Sequence, residues 1–523
     1  MKLFSTTYKI EHKALILPYT EIWQRMLGDI DRNASHHSYE LTAGKRLSAV
    51  VLSSRSAAGN SSELNHYSTI NAEFLKDKSG CIFVSLQVGN LFTDSDNFSR
   101  LPNDELNSNY SKYRQWVRNQ SCINLQKHLS LIREFVNALI AAGWKADQLA
   151  PQSVDTVKIP FKNSRGVYFE EFPKSKALLR NAFANPDPWE LRIICRKSQF
   201  KSCRKTFISA LQRLFPNGGT RLKSITHGTY ESLSPQNRIF GVIVLSGDDN
   251  LECGGFAREL EDIELVGAKF RLVREETLKN IWAIESLLFD LYLIAGGIPW
   301  VIDNQHLNGA EFVAMDAGHL VAQRKSRWAS VRYDVATNDF VALWRDTDLG
   351  EHLSISLYRK LLSIAAKQSD LTVYRDGRYL SERTRVQEES KADNQSVFEV
   401  IKHPRTVTYR STGENIEPAK FGDVFSLPNG HHLIQTQSSS ARENKNPLKI
   451  ISLDQNNFDD VAFSRFLSLC SMPLLSLNNR PRLPAPIYWA DLISKLDTTK
   501  WAKAVGRGFK LAAPTRGNKN SRS

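Results

Sequence analysis

Three aspartates stand where a carboxylate is hard to keep without a partner. In "EFVAMDAGHLVAQ" (311–323), Phe312, Val313, Ala314 and Met315 read as a buried strand, and Asp316 closes it. In "LTVYRDGR" the apolar run again ends in an acid, Asp376, followed by Gly377. Asp491 follows "PAPIYWA", near the start of an expected helix. A carboxylate on an apolar strand is costly unless it is paired, hydrogen-bonded or bound to a metal. Each acid taken alone reads more readily as a cap or turn residue. Three of them from distant parts of one chain can converge on two divalent ions. Such ions, about 3.5–4 Å apart, clamp the attacking water and the leaving oxygen of a phosphodiester. Oxygen ligands of this kind suit Mg²⁺ or Mn²⁺.

The elements that must position these acids make an α/β protein. Asp316 and Asp376 are expected at the carboxyl ends of strands, the end at which α/β sheets place their sites. Residues 281–497 begin with a helix over 281–295 and the break "GGIPW" (296–300). Strands "EFVAMD", "WASVRYDV" and "DFVALW" follow, then a helix over 350–368, strand "LTVYRDGR", a β-like region to about 455, and "RPRLPAPIYWADLISKL" (480–496). Residues 165–280 alternate strands and helices. There "WELRIICRK" (189–197) and "RIFGVIVLSGDD" (238–249) are near-continuous apolar runs, as parallel strands covered on both faces require. In residues 1–164, strands are expected over 47–54 and 80–89 and an amphipathic helix over 124–144, with a polar loop over 90–111 and no evident chemistry.

Composition narrows the partners. The 523 residues are 41% hydrophobic and 24% charged, ordinary for globular domains, with a net charge of +14. Such an excess suits a polyanion, of which nucleic acid is the commonest. The last 26 residues (498–523) hold seven Lys/Arg and no acid, so this tail supplies half of the net charge. The six cysteines form no CxxC pair, which argues against a zinc site and a disulfide framework. Lys2 is followed by no apolar run, and the apolar stretch 283–302 carries Glu285, Asp290 and a Gly-Gly-Ile-Pro break. Neither a signal peptide nor a membrane span is expected, and the location is read as cytoplasmic. There is no GxxxxGK[ST] phosphate loop and no GxSxG elbow. His319, three residues after Asp316, reads as a structural hydrogen-bonding residue.

The order of the segments carries a resemblance. "GGIPWVID", "FVAMDAGH", "VYRDGR", "FEVIKHPR" (398–405, with Lys402) and "RLPAPIYWADL" occur in the order of matching segments in Argonaute proteins, particularly prokaryotic ones. From about residue 165 the chain resembles their MID and PIWI domains. The resemblance implies an RNase H-like PIWI domain (281–497), a Rossmann-like MID domain (165–280), a smaller α+β N-terminal region (1–164) and a basic tail (498–523). It implies a catalytic tetrad of Asp316, Glu351 in "DTDLGEHL", Asp376 and Asp491, with Mg²⁺ or Mn²⁺ held by the three aspartates. Glu351 also reads as an acid in the first turn of a helix. With 164 residues before MID and no PAZ domain evident, the resemblance is to the short, PAZ-lacking type.

The same resemblance implies a short DNA or RNA guide, a complementary DNA or RNA target, and no membrane. The function implied is guide-directed cleavage by two-metal phosphodiester hydrolysis, in host defence. The alternative, found among short members, is a catalytically weak guide-binding sensor that signals to a partner effector protein. The family's lysine before Gly-Gly-x-Pro-Trp is absent, with Ile294 and Ala295 standing there. The guide-binding candidates are therefore Arg258, Lys269, Arg271, Lys402, and Arg196, Lys197, Lys201, Arg204 and Lys205 of "CRKSQFKSCRK". That run also reads as a solvated loop and helix face.

Overall fold

The structure, a computed structural model, describes residues 2–12, 17–33, 39–42, 47–58, 64–94, 98–102, 105–106, 111–121, 124–153, 161–162, 168–169, 188–216, 220–228, 239–245, 270–295, 297, 301–302, 307, 309–320, 324–335, 339–348, 350, 352–366, 370–413, 415–437, 446–453, 458–472, 482–495 and 510–511. The chain opens with β1 (Lys2–Ser5), β2 (Thr7–Glu11), α1 (Tyr19–Asn33), β3 (Tyr39–Leu41), β4 (Ser48–Ala57), β5 (Asn65–Lys76) and β6 (Ile82–Thr93). Next come α2 (Arg114–Ser121), α3 (Leu125–Ala141), β7 (Lys145–Gln148), β8 (Gln152–Ser153), β9 (Phe161–Lys162) and β10 (Tyr168–Phe169). The middle holds β11 (Trp189–Ile194), α4 (Phe200–Leu214), β12 (Leu222–His227), β13 (Ile239–Leu245), β14 (Phe270–Arg274), α5 (Ile281–Ile294) and β15 (Val301–Ile302). There follow β16 (Glu311–Leu320), β17 (Lys325–Asp334), β18 (Asp339–Asp348), α6 (Ile355–Leu362), β19 (Leu371–Asp376), α7 (Arg383–Ala392) and β20 (Ser396–Ile401). The chain closes with β21 (Thr408–Thr412), β22 (Asn415–Pro418), β23 (Val424–Leu427), β24 (His431–Ile434), β25 (Leu448–Ser452), α8 (Asp460–Cys470), α9 (Ala485–Ser494) and β26 (Lys510–Leu511).

These elements make two compact units. One joins Met1–Thr156 to Ile401–Ile451, and the other joins Val157–Val400 to Ser452–Ser523. In the first unit a sheet in the order β3-β4-β5-β6-β2-β7 is built around the long β5–β6 hairpin. Ile70, Ala72 and Phe74 alternate along β5 toward one face, opposite Val88, Leu86 and Val84. That face packs on α1 through Ile22, Trp23, Met26 and Ile30 and on α3 through Ile132, Phe135 and Leu139. The spacing of these residues along each helix puts them on one stripe. Asn124 caps α3 by accepting from the Lys127 N–H at 2.8 Å.

The second unit contains a parallel sheet, β12-β11-β13-β14, with Leu191 beside both Ile225 and Phe240. Helix α4 follows β11 and buries Cys203, Phe207, Ala210 and Leu214. A second sheet runs in the order β20-β19-β16-β17-β18-β26. Strands β16, β17 and β18 form an antiparallel meander, and β19 and β20 add in parallel on the other side of β16. One face carries Val313, Met315 and Val373 against Leu357, Tyr358 and Leu361 of α6. The opposite face lies under α9, whose Ile487, Trp489 and Ile493 are buried.

The structure corrects the expected elements in several places. Asp316 does not end its strand: β16 runs on to Leu320 because its antiparallel pairing with β17 continues to Leu320 opposite Lys325. Only the parallel pairing with β19 stops at Met315. Asp491 is the seventh residue of α9 rather than an early one, since Pro484 and the residues after it start the helix at Ala485. Helix α6 begins at Ile355, where the Ser354 hydroxyl accepts from the Leu357 N–H, and not at Gly350. The polar segment expected from residue 90 is strand β6 up to Thr93. Cys81, Cys195, Cys203 and Cys470 are free thiols. No helix among the described residues is long and apolar enough to cross a membrane.

Buried His128 gives the first unit a pH dependence. Its Nε2 accepts from the Val88 N–H at 3.1 Å, and burial pushes its pKa down to about 4. The unfolded chain takes this proton near pH 6.5, whereas the folded chain refuses it until about pH 4, so the contribution is lost as pH falls through that window. Thermal melts should show a loss of about 2 kcal/mol between pH 7 and 5, and His128→Gln should flatten the slope; an unchanged slope would contradict this role.

Candidate metal centre

The three aspartates meet on one face of the second unit's mixed sheet. Ala314 pairs with Tyr374 across β16 and β19. Two residues further along each strand, on the same face, stand Asp316 and Asp376. Helix α9 crosses that face and brings Asp491 in from above. One carboxylate oxygen from each of Asp316, Asp376 and Asp491 lies within 4.8 Å of the others. Asp316 is 7% exposed, and the other two are half-buried.

Two local features set this approach. A Cβ on Gly318 would lie 2.2 Å from the Ser494 carbonyl oxygen, so the last turn of α9 sits on bare backbone. Ser494 also donates through its hydroxyl to Asp316 Oδ2 at 3.2 Å. On the other side, Asp376 is followed by a tight turn in which Gly377 takes φ +87° and donates to the Val400 carbonyl at 2.9 Å. The turn is held by buried Arg375, whose guanidinium carbon lies 5.0 Å from the Trp328 ring and 4.5 Å from the Tyr379 ring. Arg375 Nη1 pairs with Glu382 at 2.7 Å. The Tyr379 N–H donates to Glu399 Oε1 at 2.8 Å, and burial pushes the Glu399 carboxyl above its usual range.

The three carboxylates concentrate negative charge at one place. Two unit charges at this spacing repel by about 3 kcal/mol at an effective dielectric near 20. Lys495, one turn after Asp491, answers part of this with Nζ 2.6 Å from Asp491 Oδ1. Three converging carboxylates, one of them buried, are hard oxygen donors that fit Mg²⁺ or Mn²⁺.

The remaining candidate residues distribute as follows. Glu351, Arg258 and Lys269 lie outside the described residues. Arg271 is on β14, its backbone beside Val242. Arg196 and Lys197 lie in the turn after β11, and Lys201, Arg204 and Lys205 are exposed on the first half of α4, so these five form one basic end. Lys402 follows β20 and belongs to the first unit. His319 Nδ1 lies 2.9 Å from the Ser326 hydroxyl. Sequence reasoning missed Ser494 and Lys495, although their i+3 and i+4 spacing from Asp491 on a helix was the available signal. It also missed Gly318, whose need for a bare backbone is set by a helix far away in sequence.

No family model matches the chain, and no curated protein matches it either. Solved structures do. The structure of Clostridium butyricum Argonaute bound to a guide DNA and a 19-mer target DNA superposes with a TM-score of 0.68 at 12% identity, covering 94% of this chain and 86% of that one. Marinitoga piezophila Argonaute in complex with 5′ OH guide RNA and target DNA gives 0.63 at 12% identity, covering 93% and 86%. Drosophila Piwi gives 0.64 at 11% identity, covering 91% and 83%. The chain has the fold of Argonaute proteins.

The crowding of charge and backbone makes two stability predictions, read as melting temperatures in a chelator. Asp376→Asn removes one repelling charge and should stabilise the protein by about 1 kcal/mol. Gly318→Ala must push α9 off the sheet and should destabilise it by about 1–3 kcal/mol. Opposite signs would contradict this geometry.

Proposed function

We propose that the protein is a nucleic-acid-guided endonuclease that binds a short guide strand and hydrolyses a complementary target strand. The observation that carries this reading is the convergence of Asp316, Asp376 and Asp491 from three separate segments. Three antiparallel strands extended by two parallel ones, in the order β18-β17-β16-β19-β20, support an RNase H-like PIWI domain in the proposed range 281–497, of which residues 401–451 belong to the first compact unit. The parallel sheet β12-β11-β13-β14 with α4 supports a Rossmann-like MID domain over 165–280. Residues 1–164 form the N-terminal region of this reading, and 498–523 its basic tail. Two of the similar structures are of Argonautes holding a guide with a target, the pairing proposed for this chain.

Asp316, Asp376 and Asp491 would hold Mg²⁺ or Mn²⁺. Bound there, divalent ions lower the pKa of a water and neutralise charge on the phosphodiester. The chain's own groups do the positioning. Ser494 orients Asp316, the Arg375 sandwich fixes the turn beyond Asp376, and Lys495 holds Asp491. Glu351 is proposed as the fourth acid. Arg196, Lys197, Lys201, Arg204 and Lys205 at the carboxyl end of β11, with Arg258, Lys269, Arg271 and Lys402, would take guide phosphates. The positive end of the α4 dipole adds to the basic residues of its first turns.

The test is cleavage of a labelled single-stranded target by protein loaded with a matching 5′-phosphorylated guide, DNA or RNA, with Mn²⁺ or Mg²⁺. Cutting at one fixed position is expected, falling at least about a hundredfold in Asp376→Ala. Tight binding of guide and target with no cut would overturn the nuclease reading and leave a sensor that acts through a partner effector.

A further inference from the structure

The first unit carries a cavity that the metal centre does not use. Its volume is about 540 Å³, within the roughly 300–1,000 Å³ range of small-ligand sites. Part of its wall is the β5–β6 hairpin, where Thr69 stands opposite Gly89 and Asn71 opposite Gln87. This is the side of the sheet turned away from Ile70, Ala72, Leu86 and Val88, which belong to the hydrophobic core. An outward face ordinarily leaves polar side chains in water. Thr69 and Asn71 are instead each 4% exposed. Asn71 Nδ2 donates to Thr69 Oγ1 at 3.2 Å and to the Gln87 carbonyl at 3.4 Å. Gly89 makes that arrangement possible, because a Cβ there would lie 2.6 Å from Asn71 Nδ2 and 2.8 Å from Thr69 Oγ1.

The rest of the wall includes Arg100, Arg405 and Asn446, and none of the described lining residues is an acid. The carboxylate next to Arg405 is Glu73, which meets the Arg405 N–H at 3.5 Å and is neutralised by buried Lys449 at 2.9 Å. Two guanidiniums in a polar cavity whose described lining residues include no acid match an anion, and phosphate fits their fork geometry. The side-chain amides of Gln87 and Asn446 carry both donors and acceptors, and Asn71 keeps its Oδ1 as an acceptor, which is what the edge of a nucleobase takes. We propose that this cavity is a nucleotide-binding pocket, holding a phosphate on Arg100 and Arg405 and a base against the Asn71 and Gln87 side. The phosphate-bearing nucleotide has two sources, a free mononucleotide or the phosphorylated end of a strand.

The pocket is tested on the full chain by calorimetric titration with nucleoside 5′-monophosphates, with a 5′-phosphorylated trinucleotide and with its unphosphorylated form. Saturable, phosphate-dependent binding is expected. Arg100→Ala and Arg405→Ala should each weaken it about tenfold at unchanged melting temperature, with Arg100→Lys and Arg405→Lys retaining more affinity than alanine. Binding of the monophosphates identifies a free nucleotide, and binding of only the phosphorylated trinucleotide identifies a strand end. Asp376→Ala should leave all of this unchanged, which separates the pocket from the nuclease reading. Affinity indifferent to both arginines, or to the phosphate, would overturn the proposal.

Discussion

The close seat of α9 on β16 is the constraint on which the rest of the site depends. Without a side chain at Gly318, the Ser494 carbonyl comes down onto the strand, and only then does the helix deliver Asp491 to the two acids on β16 and β19. The sheet supplies the other half. Parallel pairing of β16 with β19 puts Asp316 and Asp376 side by side, while the longer antiparallel pairing with β17 keeps β16 extended beyond Asp316. A strand that ended at Asp316 would leave nothing for α9 to rest on.

This assembly works against its own stability. Burying Asp316 beside two further acids is unfavourable in the protein alone, and the surroundings are built to tolerate it. Lys495 offsets Asp491, Ser494 hydrogen-bonds Asp316, and Arg375, stacked between Trp328 and Tyr379, holds a cation behind the strand. Sites that concentrate like charge in this way are expected where charge is later neutralised by a ligand. The same logic, with the opposite sign, describes the first unit's cavity, where two arginines line a wall with no acid among its described residues.

What was legible in the sequence follows from the range of each interaction. Asp316 and Asp376 were visible because apolar strand-like runs ending in acids break a local rule, Asp491 was found as an acid in an expected helix, and the α/β architecture was visible in runs such as "RIIC" and "FGVIVL". Strand β5 was missed because "NHYSTINAEFLK" mixes polar and apolar residues on both faces, its polar face being covered by other parts of the chain. Helix α1 was missed although its apolar positions recur at helical spacing. The true length of β16 depends on β17, and the position of Asp491 within α9 depends on the proline start at 484. Gly318 could not be read at all, since its meaning lies in a helix that begins 167 residues later.

The central claim, that Asp316, Asp376 and Asp491 make one metal centre, is tested most directly by counting bound Mn²⁺. Electron paramagnetic resonance titration of the protein should show saturable Mn²⁺ binding, weakened tenfold or more, about the effect of losing a ligand contact, by each of Asp316→Asn, Asp376→Asn and Asp491→Asn. Mn²⁺ binding that none of the three substitutions changes, or no saturable binding at all, would contradict the account.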